Sequence, residues 1–125
     1  MRSAHILVVD DEPHTRTFIC DGLSALGITD EALGVSTADE ALAEISRHRP
    51  DLVITDVRMP GLNGLELQKR LMDSGEMLPI IFLTAYEDPQ ARRAALQRGA
   101  VAFLQKPADE KVLFEAIKEA RGQGH

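Results

Sequence analysis

Apolar residues cluster along the chain into short, nearly continuous runs, separated by longer segments in which apolar residues recur every three or four positions. A continuous run is typical of a strand buried on both faces, whereas the wider spacing is typical of a helix with one buried face. One weaker run is broken by Gly34, which suits a short strand at a sheet edge. The predicted strands are His5–Val9, Glu31–Val35, Asp51–Thr55, Pro79–Thr84 and Val101–Leu104.

Local signals place helices between these strands. Two residue pairs have capping-box spacing, one proline follows a capping aspartate, and three glycines stand where helices should end. Five strand-helix units with right-handed crossovers predict an α/β fold, an open parallel sheet with helices on both faces. The start signals are Thr37 with Glu40, Asn63 with Glu66 and Asp88 with Pro89, and the stop signals are Gly27, Gly75 and Gly99.

The helical periods also predict which side chains face the core. The first helix should bury a stripe that includes Phe18, Ile19 and Leu23. The fourth helix, over residues 89–98, offers little apolar area, so we expect it to be the loosest of the five. Its core residues should be Ala91, Ala94, Ala95 and Leu96.

Composition limits the class of protein. The 125 residues are 44% hydrophobic and 27% charged, which predicts one folded domain, assigned to residues 1–121 with a flexible tail over 122–125. The net charge of −6 argues against direct nucleic-acid binding. With one cysteine, no signal peptide and no apolar run of about 18 residues, we expect a cytoplasmic protein that does not cross a membrane.

Candidate chemistry gathers where the predicted strands end. Open α/β sheets place their sites outside the carboxyl ends of the strands. Three carboxylates there would repel one another; a lysine would offset one charge and a divalent cation two. The ligands on offer are oxygens, which favours Mg²⁺, with Mn²⁺ as a possible substitute. The residues are Asp10, Asp11, Asp56, Thr84 and Lys106.

Such a cluster could carry out phosphoryl chemistry. A carboxylate beside a bound magnesium ion, a lysine and a hydroxyl can act as a nucleophile toward phosphorus and form an aspartyl phosphate. Positioning and charge neutralisation supply most of the catalysis in such a reaction.

Four stretches at these strand ends resemble the bacterial two-component response-regulator receiver family. They occur in the family's order and spacing, and the resemblance covers nearly the whole chain. It implies a flavodoxin-like, doubly wound, five-stranded parallel sheet of order 2-1-3-4-5 with five helices. The stretches are Val8–Glu12, Asp56–Gly64, Leu83–Ala85 and Lys106–Pro107.

The resemblance implies a role for each matching residue. Asp56 is the phosphoacceptor, taking a phosphoryl group from the phosphohistidine of a partner histidine kinase or phosphotransfer protein. Asp10 and Asp11 join it in holding the metal, and Arg58 adds a backbone carbonyl. Thr84 and Lys106 contact the phosphoryl group. The domain is thus a signalling switch that catalyses only its own phosphorylation and dephosphorylation.

The same resemblance implies how the signal leaves the site. Thr84 and Phe103 form the switch pair, which should reshape the face made by the fourth helix, fifth strand and fifth helix. Phe103 lacks a hydroxyl, so its rotamer change must depend on packing. The Lys106–Pro107 bond resembles the family's usual cis peptide. The output domain or downstream partner and any homodimer stay open.

Two bulky residues near the site, Arg58 and Tyr86, suggest a hypothesis about signal lifetime. Both could hinder the water that hydrolyses an acyl phosphate, and so lengthen its lifetime. The hypothesis fails if Arg58→Ala and Tyr86→Ala each leave the dephosphorylation rate unchanged.

Three alternatives come from other classes. A haloacid-dehalogenase-type phosphatase needs a second aspartate two residues after the first, where this chain has Arg58. A flavodoxin would have its flavin phosphate repelled by Asp10 and Asp11. A receiver that binds partners without phosphorylation is a minor alternative, because no motif residue is missing. The histidines His5, His14, His48 and His125 show no ligand spacing.

Overall fold

The computed structural model describes residues 5–25, 27–29, 31–85, 87–106 and 110–122. Five strands alternate with five helices in a strictly repeating order. The strands are β1 (His5–Val9), β2 (Glu31–Val35), β3 (Leu52–Thr55), β4 (Ile80–Thr84) and β5 (Ala102–Gln105). The helices are α1 (Pro13–Ala25), α2 (Ala38–Arg47), α3 (Gly64–Asp73), α4 (Pro89–Gln97) and α5 (Glu110–Gly122).

All strand pairs are parallel, and the sheet order is β2-β1-β3-β4-β5, which confirms the predicted topology. β1 and β3 are therefore neighbours, although a strand and two helices separate them along the chain. The interrupted strand β2 lies at the edge, as predicted from Gly34. None of the helices in the described part of the chain has both the length and the apolar character of a membrane span.

Alternate residues of the sheet face two separate apolar cores. One core lies under α2, α3 and α4 and includes Leu7, Val53 and Phe82. The other lies under α1 and α5 and includes Ile54 and Ile81. Because both faces of the central strands are buried, their apolar runs are continuous rather than alternating.

The predicted helix boundaries agree with the caps. Asn63 and Glu66 form a complete capping box on α3, and the Asp88 side chain accepts a hydrogen bond from the Ala91 amide at the start of α4. In α2, the Thr37 side chain caps the Glu40 amide. Each predicted stop glycine has a positive φ: Gly27, Gly75 and Gly99.

Two predicted core residues are exposed instead, which corrects the helical periods. Phe18 is 58% exposed, since Ile19 and Leu23 already form the buried row of α1 and Phe18 lies about 100° around the helix from Ile19. Leu96 is 40% exposed, beside the row formed by Ala91 and Ala95. The tail assigned to 122–125 begins at the last residue of α5, and residues 123–125 lie outside the described part.

Candidate functional site

Two buried carboxylates meet at the carboxyl edge of the sheet. Asp10 and Asp56 directly follow β1 and β3, and the Asp56 amide donates to the Val9 carbonyl at 3.0 Å. Their exposed fractions are only 2% and 8%. Asp11, the next residue along the chain, is exposed, and one carboxylate oxygen from each of the three residues lies within 4.8 Å of the others.

Lys106 directly follows the edge strand β5, and its side chain extends to this pair. Its backbone amide donates to the Thr84 carbonyl at 2.7 Å, which fixes the end of β5 beside β4. Its ammonium Nζ lies 2.7 Å from Asp10 Oδ2 and 2.9 Å from Asp56 Oδ2. One positive charge therefore bridges two buried negative charges, which leaves the cluster with excess negative charge once Asp11 is included.

The pKa values of Asp10 and Lys106 reflect the opposing effects of burial and of their hydrogen bonds. Burial raises the pKa of Asp10 above its ordinary value, and hydrogen bonds from the Lys106 ammonium and the Glu12 amide offset only part of the rise. Burial acts to lower the pKa of Lys106, but its hydrogen bonds to Asp10 and Asp56 outweigh burial and raise it. The lysine is thus held in its charged form, while the charge on Asp10 is unfavourable without a further cation.

This unfavourable charge predicts that Asp10→Asn stabilises the protein when no divalent ion is bound. Below the ordinary pKa of 3.8, Asp10 is protonated in both the folded and the unfolded chain and does not lower the stability of the fold. As the pH rises through the raised folded-state pKa, Asp10 becomes charged and the fold loses stability. At neutral pH we therefore expect the free energy of unfolding of Asp10→Asn to exceed that of wild type.

Urea unfolding in a chelator tests this expectation, and the difference between variant and wild type should shrink as the pH falls toward 3.8. Asp21→Asn, at an exposed position of α1, serves as the control and should leave stability nearly unchanged. An Asp10→Asn protein less stable than wild type at neutral pH would contradict the raised pKa of Asp10.

The turn from β1 into α1 is held by interactions that the sequence motifs did not indicate. The Glu12 carboxylate accepts hydrogen bonds from the amides of His14 and Thr15, and so caps α1. Arg16 donates from Nη1 to the Asp10 carbonyl at 2.7 Å. Its stem crosses Gly34, where a Cβ would lie 2.6 Å from Arg16 Cγ. The spacing of Glu12, His14 and Thr15 resembles an N-cap and could have revealed the first contact.

The loop after β3 is packed against Asp56 itself. The Gly64 amide donates to the Val57 carbonyl at 2.8 Å, and a Cβ on Gly64 would lie only 2.2 Å from the Asp56 carbonyl oxygen. The Arg58 amide donates a hydrogen bond to Asp56 Oδ1 at 3.3 Å, while the Arg58 side chain is exposed. The loop thus holds the backbone of Asp56 against the first turn of α3.

Thr84 and Phe103 lie on the paired strands β4 and β5. Thr84 ends β4 and is only 1% exposed. Phe103 pairs in register with Phe82, and their ring centroids lie 5.8 Å apart. Phe103 also lines a groove of about 310 Å³ with Asp88 and Arg92 of the α4 region. Tyr86 and Pro107, and with Pro107 the predicted cis peptide, lie outside the described residues.

Comparisons with known proteins give matches over nearly the whole chain. The family model described as response regulator receiver domain matches residues 6–118. A 14.6 kDa protein from the sodA1 3′ region of Leptolyngbya boryana is 39% identical, covering 91% of this chain and 87% of its own length. The transcriptional regulatory protein GlrR of Escherichia coli is 35% identical over 98% of this chain, but that match spans only 27% of the regulator.

Solved structures give the same result. A response regulator receiver protein from Pseudomonas putida superposes with a TM-score of 0.89 at 31% identity, over 95% of this chain and 98% of that one. This chain therefore spans about a quarter of the length of regulators such as GlrR but nearly the whole of the Pseudomonas putida chain.

Proposed function

Because this chain belongs to the response regulator receiver domain family, we propose that it accepts a phosphoryl group on Asp56 from the phosphohistidine of a partner histidine kinase or phosphotransfer protein. The observation that carries the proposal is the Lys106 ammonium, which joins Asp10 and Asp56 at the carboxyl edge of the sheet. A charged lysine beside a buried, strand-end carboxylate is what stabilisation of a transferring phosphoryl group requires.

The residues present fit a magnesium ion. Asp10, Asp11 and Asp56 offer closely spaced carboxylate oxygens, and Arg58 would add its backbone carbonyl. The cluster contains neither histidine nor cysteine, which favours a hard cation over zinc or copper. When bound, Mg²⁺ (or Mn²⁺) supplies neutralisation of the charge that develops on the phosphoryl oxygens.

The chain's own residues account for the remaining steps. A carboxylate oxygen of Asp56 forms a bond to phosphorus as the phosphorus–nitrogen bond of the donor breaks, and that electron pair returns to the donor imidazole. Lys106 exchanges its contact with Asp56 for a phosphoryl oxygen, so its charge stays paired throughout. The Thr84 hydroxyl donates to another phosphoryl oxygen.

Phosphorylation by a small donor tests this function. Wild-type protein incubated with acetyl phosphate and Mg²⁺ should gain one phosphoryl group, about 80 Da by intact-mass spectrometry. A chelator should abolish the gain, and Mn²⁺ should restore it. A folded protein that gains no mass with either ion would instead favour a receiver that binds partners without phosphorylation.

We further propose that Thr84 and Phe103 carry the change to the face made by α4, β5 and α5. Movement of Thr84 toward the phosphoryl group would vacate space on the side of the sheet where Phe103 packs. On phosphorylation we therefore expect the largest backbone NMR shift changes outside the site in α4 and β5. Changes confined to α1, β2 and α2 would contradict the path, and Phe103→Ala should reduce the changes in α4.

Partners and lifetime follow from the same assignment. The face of α4, β5 and α5 would control an output domain or a downstream protein, and would be the surface for any homodimer; this domain itself would not bind nucleic acid. Phosphoryl transfer and partner binding would take place in the cytoplasm. The exposed Arg58 side chain stays a candidate for slowing hydrolysis of the acyl phosphate.

A further inference from the structure

A second group of potential metal ligands lies at the opposite end of the sheet. His5 begins β1, whereas Glu44 and His48 belong to the last turn and the C-cap of α2. One ligand atom from each residue lies within 4.8 Å of the others. The group is roughly 16 Å along β1 from Asp10, since a strand rises about 3.3 Å per residue. It is therefore separate from the acidic cluster.

The His5 ring is buried and has one nitrogen without a partner. Nδ1 lies 3.3 Å from the Glu31 carbonyl oxygen, which can only accept a hydrogen bond, so this contact assigns the proton to Nδ1. Nε2 then holds a bare lone pair, and it contacts no hydrogen-bond partner among the described residues although His5 is only 4% exposed. A backbone carbonyl that fixes one imidazole nitrogen while the other stays open is the usual support for a metal-binding histidine.

α2 supplies the other two ligands. Glu44 lies in the last turn and His48 is the extended C-cap residue, and a ligand atom of each lies within 4.8 Å of the other. Glu44 is buried, and its carboxylate pairs with Arg47, whose side chain is 79% exposed. An exposed partner of this kind contributes little stability and can be displaced. The His48 ring stacks on that of His5 with centroids 4.3 Å apart and planes within 7°.

We propose that His5, Glu44 and His48 bind a Zn²⁺ ion. Two imidazoles and one carboxylate form a donor set that suits zinc and leaves the fourth position open. The carboxylates of Glu31 and Asp51 flank His5 and add negative potential. In a tetrahedral site with bonds of about 2.1 Å the ligand atoms lie roughly 3.4 Å apart, so the ligands must close in by about 1.4 Å at most.

The exposed His48 ring makes that movement by turning out of its stack on His5. Because the ligands must move, binding should be weaker than at a preformed structural zinc site. The ion would tie the start of β1 to the end of α2, and so stabilise the fold by binding only the folded chain.

Metal titration of the intact protein tests the site. With excess Mg²⁺ present to fill the acidic cluster, Zn²⁺ should bind with one equivalent by calorimetry and raise the melting temperature. Glu44→Gln and His48→Ala should each weaken binding at least about tenfold and remove the thermal shift. The matched control His14→Ala, in α1 at the other end of the molecule, should bind as wild type.

Two results would overturn the proposal. One is Zn²⁺ binding that survives both Glu44→Gln and His48→Ala, which would place the ion elsewhere. The other is an imidazole nitrogen NMR spectrum of the metal-free protein in which His5 carries its proton on Nε2. In support, that spectrum should show the Nδ1–H form, and Co²⁺ should give visible absorption that Glu44→Gln and His48→Ala lose.

Discussion

Asp56→Asn protein incubated with acetyl phosphate and Mg²⁺ should stay at its unmodified mass, whereas wild type gains about 80 Da. The amide retains the shape of the carboxylate but is a far weaker nucleophile toward phosphorus, so we expect the phosphorylated fraction to fall below detection. The fold should persist, because loss of one negative charge relieves repulsion with Asp10 and leaves Lys106 paired to Asp10. Circular dichroism and thermal unfolding establish that the variant is folded.

Asp73→Asn is the matched control, since Asp73 is an exposed aspartate on α3 whose contact is with Lys69. It should be phosphorylated to the wild-type extent. Phosphoryl uptake by folded Asp56→Asn, located by peptide mapping to another carboxylate such as Asp11, would show that the phosphoacceptor is assigned wrongly.

Gly64→Ala should lower the free energy of unfolding by on the order of 3 kcal/mol. A methyl group at this position would lie 2.2 Å from the Asp56 carbonyl oxygen and 3.2 Å from Phe82 Cε1, and the oxygen belongs to backbone that cannot turn aside. The first turn of α3 must then move away from β3. Because the displaced turn packs against Asp56, the variant should also be phosphorylated more slowly.

Gly22→Ala separates this steric effect from the general effect of adding a methyl group. Gly22 lies within α1, and the nearest atom to an added Cβ is Phe114 Cζ at an ordinary 3.8 Å. Alanine is the better helix former, so Gly22→Ala should stabilise the protein by about 0.5–1 kcal/mol. Equal urea midpoints for the two variants would contradict the close contact at Gly64.

The strand runs and caps were predictable because they depend on neighbours along the chain. β1 and β2 have the predicted bounds, and β3 and β4 each begin one residue later than predicted. The buried face of a helix was harder, because an apolar side chain beside the stripe fits the same period, as Phe18 shows. Whether such a residue is covered depends on what packs there, which the local sequence does not contain.

The histidines show the same limit more sharply. The sequence offered no ligand spacing among them, because the partner of His48 at helical spacing is Glu44 and the other candidate ligand, His5, lies 39 residues before Glu44 in the chain. Only the packing of α2 against the start of β1 brings the three together.

By itself the sequence determined the alternation of strands and helices, the helix ends, and the set of strand-end residues from which Asp10, Asp56 and Lys106 were selected. These features depend on local conformational preference and on periodic burial, both of which are written in consecutive residues. The tertiary structure decided which residues are in contact. It pairs Lys106 with two carboxylates, packs the Arg16 side chain against Gly34, and packs the start of α3 against the Asp56 carbonyl. Such contacts join residues distant in sequence, so only the close packing of complete elements fixes them.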